Sequence, residues 1–191
     1  MEKRILIGGS GGQGILFMGK VIASAAMNNG KNVTWFPSYG AEMRCGTANC
    51  TVIISEEPIG SPVFRHADIL VVFTEASLNK FAPRLNKDGY LFYDSSLITF
   101  NSGVHNGAIG INVTTMAREL GNTKAANMIM LGAAAAITGL MGKEDLLIAI
   151  ESDDMSECML KALSINKRAI LKGYEIVENQ ESGLFRNRTC T

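Results

Sequence analysis

The chain has 191 residues, and its 18 lysine and arginine residues balance its 18 aspartate and glutamate residues, so the formal net charge is zero. This length fits one domain with a sizeable core. The lack of a basic excess argues against a nucleic-acid or anionic-membrane partner. The N-terminus runs into a predicted strand without the apolar core of a signal peptide, so we expect a cytoplasmic protein.

The first half of the sequence predicts strands that alternate with helices. Short apolar runs bounded by turn residues predict strands at residues 4–7, 32–36, 48–54, 69–73, 90–93 and 108–113. A helix is expected from Ile15 to a stop at Gly30, and another over residues 75–85. Pro37 is expected to end the second strand, because proline cannot donate to a sheet ladder. This alternation predicts a Rossmann-like α/β fold with a doubly wound, mostly parallel sheet.

The C-terminal part, from residue 114 onward, is predicted to be helical. Residues 124–141 are apolar on all sides of the predicted helix, which indicates burial on all sides. A membrane span is the alternative, but Asn127, Gly132 and Gly139 interrupt a marginally short run. We therefore expect this helix to pack between its own sheet and another subunit.

A long helix over residues 155–178 is predicted to end the folded part. Its packing seam includes Asn166 and Gly173, and Gly173 would let another backbone come close. Residues 1–179 are expected to form a single α/β domain. The polar residues 180–191 are expected to form a mobile tail.

The most distinctive stretch is the glycine loop, residues 8–14, which holds five glycines in seven positions. Gly9, Gly11 and Gly14 fit G-x-G-x-x-G, a pattern that places backbone N–H groups at a helix N-terminus suited to anions. An ordinary dinucleotide site would also need an acidic residue at the end of the second strand, where residues 35–37 are Trp-Phe-Pro. Two interpretations stay open: anion binding, or glycines that only permit tight packing of strand against helix.

Candidate catalytic groups are scarce. His66 and His105 fall in no metal-ligand or nucleophile motif. Cys45 and Cys50 have the four-residue gap that opens a plant-type iron–sulfur site, but Ile53 stands where the next cysteine should be. We therefore interpret Cys50 as a buried, small apolar side chain, and assign no catalytic or metal-ligating residue.

Four motifs follow one another over the first third of the chain. They are Gly9-x-Gly11-Gly12-Gln13-Gly14-Ile15, Ser38-Tyr39-Gly40-x-Glu42-Met43-Arg44-x-Gly46, Ser55-x-x-Pro58-Ile59-x-Ser61-Pro62 and Ala67-Asp68. Weaker similarity continues through residues 127–133 and 166–173. In this order and spacing they resemble the gamma subunit of 2-oxoacid:ferredoxin oxidoreductases. Residues 42–50 are most similar to the 2-oxoglutarate or branched-chain 2-oxoacid (2-ketoisovalerate) members.

The resemblance implies the oxidative decarboxylation of a 2-oxoacid, 2-oxoglutarate in the first place, to an acyl-coenzyme A with reduction of ferredoxin. It implies alpha and beta subunits and a ferredoxin-like subunit as partners. Thiamine diphosphate, iron–sulfur clusters and coenzyme A would be used through those other subunits, so no independent activity is expected of this chain. The isolated chain could form a homodimer.

The site residues implied by the resemblance lie in two loops. They are Gly9, Gly11, Gly12, Gln13 and Gly14 in the first and Tyr39, Glu42 and Arg44 in the second. Both loops are expected to form a junction with the alpha and beta subunits near the coenzyme A entrance.

Arg44 would pair there with a phosphate of coenzyme A, with an ion pair to Glu42 or a partner subunit as the alternative. Cys45 departs from the Arg-Gly-Gly that the family often carries. Two other functions stay open: a free-standing Rossmann-like module that binds a nucleotide or phosphate, and a purely architectural subunit.

Overall fold

The computed structural model describes residues 2–39, 47–99, 107–151 and 157–180. Its strands are β1 (Lys3–Ser10), β2 (Asn32–Tyr39), β3 (Thr47–Ser55), β4 (Ala67–Val72), β5 (Leu85–Asp94) and β6 (Ile109–Ile111). Its α-helices are α1 (Ile15–Asn28), α2 (Glu75–Phe81), α3 (Val113–Glu119), α4 (Ala126–Thr138), α5 (Lys143–Glu151) and α6 (Glu157–Gln180). Short 3₁₀ turns span Ala82–Arg84 and Thr123–Ala125.

The strands form one mixed sheet in the order β2-β3-β1-β4-β5-β6. Strands β1, β4, β5 and β6 pair in parallel, whereas β3 is antiparallel to both of its neighbours. Strand β2 therefore points the same way as β1 but lies one strand further out. The predicted α/β class and the mostly parallel sheet are confirmed.

Strand β2 runs through Pro37 to Tyr39, so the prediction that Pro37 ends the strand is wrong. Pro37 pairs opposite Cys50. The strand lies at the edge of the sheet, and an edge strand tolerates proline because one of its sides needs no ladder donor.

The predicted helix over residues 75–85 was too long, and β5 is longer than the predicted 90–93. Helix α2 ends at Phe81, Pro83 lies in a 3₁₀ turn, and Leu85 already begins β5. Pro83 has no N–H for the carbonyl four residues earlier, so the α-helical ladder cannot continue past it. The predicted strand 108–113 is also shorter, because Val113 begins α3.

Helix α4 packs on its own sheet at β5, as predicted, but over residues 126–135 its own chain also covers the side on which another subunit was expected. Every residue from 126 to 135 is buried, and α6, α3 and α1 contact the helix. A Cβ on Gly132 would lie 2.2 Å from the Ile170 carbonyl oxygen, and one on Gly173 would lie 2.3 Å from the Ile129 carbonyl oxygen. The close backbone approach predicted at Gly173 is confirmed, and its partner is α4.

The C-terminal half is helical as predicted, with α5 and the long α6 separated by residues outside the described ranges. The predicted tail, residues 180–191, also lies outside them except for Gln180, the last residue of α6. No helix in the described part of the chain is long and apolar enough to cross a membrane.

Candidate functional site

The glycine loop connects β1 to α1 through a turn that needs glycine at two positions. Gly12 has φ 88°, and Gly14, the N-cap of α1, has φ 70°. Both angles lie in the left-handed region, which side chains other than glycine's rarely adopt. The Gln13 side chain closes the turn, because its Oε1 accepts from the Ser10 N–H at 2.7 Å.

Within the loop, some glycines are packed and others face open space. A Cβ on Gly8 would lie 2.7 Å from the Phe81 ring, and one on Gly9 would lie 2.6 Å from Ile15 Cδ1. A Cβ on Gly11 or Gly12 would meet no atom within 4 Å. The tight-packing interpretation therefore accounts for the start of the loop, whereas its exposed tip leaves room for another molecule to reach the backbone.

Asn127 on α4 fixes the end of the loop. Its Nδ2 donates to the Gly14 carbonyl oxygen at 2.9 Å, and a Cβ on Gly14 would lie 2.2 Å from that same nitrogen. The side chain is 3% exposed, and its Oδ1 has no hydrogen-bond partner in the described structure. Sequence reasoning missed this contact, although a single amide in a helix that is otherwise apolar on all sides was a usable signal.

The two predicted site loops start from the same edge of the sheet. Ser10 pairs opposite Thr47, and Ala48 pairs with both Gly9 and Tyr39. The strand ends that flank residues 40–46 are thus one and two strands away from the glycine loop. The structure brings the backbone of Tyr39 to this edge, while Glu42 and Arg44 lie outside the described residues.

The sheet order argues against an ordinary dinucleotide site. In the fold that binds dinucleotides, the second strand lies beside the first and carries an acid for the ribose. Here β3 lies between them, and β2 reads Asn-Val-Thr-Trp-Phe-Pro-Ser-Tyr, without an acid. The helix N-terminus stays available, because α1 has no side-chain cap and no acidic residue in its first turn.

The family model for pyruvate ferredoxin/flavodoxin oxidoreductase matches residues 4–176. The chain belongs to this family. The resemblance drawn from the motifs of the glycine loop and its neighbours is confirmed.

The chain is similar to three members of this family from different organisms. Ketoisovalerate oxidoreductase subunit VorA of Methanothermobacter marburgensis is 43% identical over 141 residues, 73% of this chain and 30% of VorA. The 2-oxoglutarate synthase subunit KorC of Archaeoglobus fulgidus is 38% identical over 140 residues, 73% of this chain and 72% of KorC. The crystal structure of the keto/oxoacid ferredoxin oxidoreductase gamma subunit of Geobacter sulfurreducens is 30% identical with a TM-score of 0.77, covering 92% of this chain and 95% of that one.

The chain covers very different shares of these relatives. The chain spans about a third of the length of VorA, but nearly all of the Geobacter gamma subunit. The same α/β unit therefore occurs in the family both as most of a short chain and as a minor part of a longer one.

Cys50 is a buried, small side chain, as the sequence predicted. The side chain is fully buried and its Sγ donates to the Ile15 carbonyl oxygen at 3.4 Å. Burial raises the pKa of the thiol to about 12, although hydrogen bonds from Trp35 and Gly19 oppose that shift. In the part of the chain that the structure describes, no group of three His, Cys, Asp or Glu side chains could hold a metal ion.

A cavity of about 730 Å³ lies at the opposite edge of the sheet, where the parallel strands begin. Several of the polar groups lining it are paired with each other or with nearby backbone. Lys31 Nζ lies 2.8 Å from Glu56 Oε1, and Asp68 accepts from the Asn86 amide and the Arg4 N–H. The cavity therefore presents mostly satisfied groups, whereas the tip of the glycine loop presents open backbone. We take the glycine loop as the candidate site.

The loop can position a neighbouring group, but it has no side chain suited to moving a proton. Residues 8–14 contain only glycine, Ser10 and Gln13, and the Gln13 oxygen is already engaged. Backbone donors and the positive end of a helix dipole remain. Such a site binds and orients; it does not perform acid–base chemistry by itself.

Proposed function

We propose that this chain is the gamma subunit of a multisubunit 2-oxoacid:ferredoxin oxidoreductase. The complex would convert a 2-oxoacid, coenzyme A and oxidised ferredoxin to acyl-coenzyme A, carbon dioxide and reduced ferredoxin. The observation that carries the proposal is the match over nearly the full length of a gamma subunit. The glycine loop, which has binding groups but no proton-transfer group, agrees with a subunit whose partners hold the reactive cofactors.

The partners in this proposal are an alpha subunit, a beta subunit and a ferredoxin-like subunit. Thiamine diphosphate would be bound between alpha and beta, and iron–sulfur clusters would be held by beta or by the ferredoxin-like subunit. Free ferredoxin would be the electron acceptor of the whole complex.

The phosphate groups of coenzyme A fit the open glycine loop of this chain. The space above Gly11 and Gly12 is open, and α1 presents uncapped N–H groups beside it. Phosphate groups suit such a helix N-terminus. In this proposal the glycine loop and the loop with Arg44 meet the alpha and beta subunits at the coenzyme A entrance, where Arg44 would pair with a phosphate.

The test is to purify the affinity-tagged chain from its own cells under native, oxygen-free conditions. We expect it to carry the other subunits, identified by mass, together with iron and thiamine diphosphate. The purified complex should reduce ferredoxin only when both an oxoacid and coenzyme A are present. A chain that stays alone, or that turns over an oxoacid unaided, would contradict the proposal.

The preferred substrate is 2-oxoglutarate, and ketoisovalerate is the second candidate. The 43% identity to VorA favours ketoisovalerate, whereas the KorC subunit, of which this chain covers 72%, favours 2-oxoglutarate. The ratio of kcat/KM for the two oxoacids, measured on the purified complex, decides between them.

Two further measurements separate the alternatives. A free-standing nucleotide module predicts that the isolated chain binds adenine nucleotides in calorimetry, whereas a gamma subunit should bind them weakly or not at all. A role of Arg44 at coenzyme A predicts that Arg44→Ala raises the KM for coenzyme A in the assembled complex. A purely architectural subunit predicts an unchanged KM and full turnover.

A further inference from the structure

The edge of the sheet formed by β2 and β3 carries no charged side chain. The 8 residues of β2 and the 9 residues of β3 include no Asp, Glu, Lys, Arg or His, whereas β1, β4 and β5 each include at least one charge. An exposed edge strand is ordinarily protected by charge or by proline, and Pro37 protects the backbone edge of β2. The faces of β2 and β3 still carry no charge, which is typical of a surface that is covered in the working protein.

The two faces of this strand pair differ in what covers them. On one face α1 packs against β2, and a Cβ on Gly19 would lie 3.0 Å from Trp35 Nε1. Phe36 points to the other face, where α2 covers β1 and β4 but has no comparable contact with β2. Phe36 is 50% exposed there, beside the half-buried Thr51 and Asn49.

We call this surface the open strand face; its members are Phe36, Ser38, Asn49 and Thr51. We propose that the open strand face is the docking surface for the cofactor-bearing partner subunit, with Phe36 as the central anchor. The inference rests on the proposed function, and it adds the surface through which the subunit would assemble.

The composition of the open strand face fits a protein partner. Centres of protein interfaces are depleted in charge and enriched in aromatic residues, and a few such anchors contribute most of the binding energy. A phosphate backbone or an anionic membrane would need cations, which these strands lack. Docking occurs face-on, because Pro37 removes a backbone donor from the edge of β2 and so hinders the addition of another strand.

The length of VorA indicates that the molecule docked on the open strand face is a different polypeptide and not a second copy of this chain. The matched region makes up 30% of VorA, so most of that relative is polypeptide joined covalently to the same α/β unit. A partner subunit of that kind must be held to this chain by a noncovalent surface.

The position of the open strand face places its occupant beside the candidate site. Strand β3 separates β2 from β1, and Asn49 on β3 pairs opposite both Ser38 and Gly8, the first residue of the glycine loop. A partner that covers the open strand face therefore lies beside the start of the loop whose open tip is at Gly11 and Gly12. One docked subunit could contact both.

The first test is hydroxyl-radical footprinting of the native complex and of the isolated chain. Oxidation of Phe36 should fall severalfold in the complex, since docking would remove it from water. Footprinting needs no substitution, so misfolding of a variant cannot obscure the outcome. Equal oxidation of Phe36 in both samples would overturn the proposal, and so would protection of Phe36 in the isolated chain by formation of a homodimer.

The second test uses Phe36→Lys, with Val63→Lys as the matched control. Val63 is 68% exposed on the connection between β3 and β4. Phe36→Lys should raise the dissociation constant for the remaining subunits about tenfold or more, the scale expected for an interface anchor. Val63→Lys should leave it unchanged, and both isolated variants should keep the thermal midpoint of the wild type; Phe36→Ser replaces the lysine variant if that midpoint falls.

The outcomes separate this proposal from the proposed function. If the wild type yields an oxoacid-active complex but Phe36→Lys assembles equally well, the docking surface is wrong and the function stands. If the wild type yields no oxoacid-active complex, both proposals fail.

Discussion

Glycines serve opposite purposes in two regions of this molecule. At the crossing of α4 and α6, Gly132 and Gly173 let two backbones approach so closely that a Cβ on either would lie 2.2 to 2.3 Å from a carbonyl oxygen. At the tip of the glycine loop, Gly11 and Gly12 have no neighbour within 4 Å of an added Cβ. Glycines of the first kind complete the fold, whereas those of the second kind leave backbone exposed to something outside the chain.

The helix crossing should respond most strongly to substitution. Gly173→Ala forces α6 away from α4, and overpacking of a buried contact costs about 3 kcal/mol in the free energy of unfolding. Urea denaturation of the isolated chain measures the loss. Gly60→Ala, at an exposed position where a Cβ meets no atom within 4 Å, is the control and should change stability little. A tolerated Gly173→Ala would contradict the close packing of the two helices.

Gly14 stands between the two regions, because it belongs to the loop but contacts α4. Gly14→Ala must adopt φ 70° and place a Cβ against Asn127, so we expect a loss of about 2 kcal/mol. The double variant Gly14→Ala with Asn127→Ala should recover part of this loss, because it removes the clash. Additive losses in a double-mutant cycle would show that strain alone, and not the contact with Asn127, sets the cost.

Asn127 itself should contribute less. Asn127→Ala removes the donor to the Gly14 carbonyl oxygen, and a lost hydrogen bond of this kind costs about 1 kcal/mol. Asn127→Asp should be worse than alanine, because it places an acceptor against that carbonyl. The thermal midpoints of the two variants give the order, and a more stable Asn127→Asp would refute this account of the contact.

The class of the fold was predictable because strand and helix patterns are local. The alternation of apolar runs and amphipathic stretches indicated the α/β class, and Gly173 indicated a close helix contact before its partner was known. The pattern of α4 showed that the helix is buried, but not by what. Helix α6 provides most of its cover, and α5 separates the two helices in the sequence. No local pattern identifies a partner at that distance.

Other features depended on tertiary position. Whether Pro37 ends a strand depends on whether that strand lies at an edge, and the edge exists because β3 inserts between β1 and β2. The bond from Asn127 to Gly14 joins residues 113 positions apart. The glycine loop was identified from its spacing, whereas the division of its glycines into packed and open members needed the neighbouring side chains.

A pH titration tests the packing of α6 through the pKa of Tyr174. Tyr174 on α6 donates to the Met141 carbonyl oxygen at 2.6 Å, and burial, with the charges of Asp145 and Glu144, raises its pKa from 10.0 to about 12. A raised phenol pKa in the folded state stabilises the protein below pH 10, and this contribution is lost as pH rises toward 12. Urea midpoints should therefore fall across that range, and Tyr174→Phe should reduce the fall. An identical pH dependence in Tyr174→Phe would rule out this group as a source.

The smallest effect on stability, and the most informative about function, is expected at Gly11. Gly11→Ala meets no neighbouring atom and needs no left-handed backbone, so the free energy of unfolding should change by less than about 0.5 kcal/mol. Gly12 is the poorer probe, because its φ of 88° adds strain that would be confused with a lost contact.

In the assembled complex, the methyl group of Gly11→Ala occupies the space through which coenzyme A or a partner subunit would reach the loop. The KM for coenzyme A or the dissociation constant for the partner should therefore rise. Gly60→Ala in the same complex should change neither. If Gly11→Ala assembles and turns over like the wild type, the open tip is not a contact site, and the glycines of this loop would serve only the turn from β1 into α1.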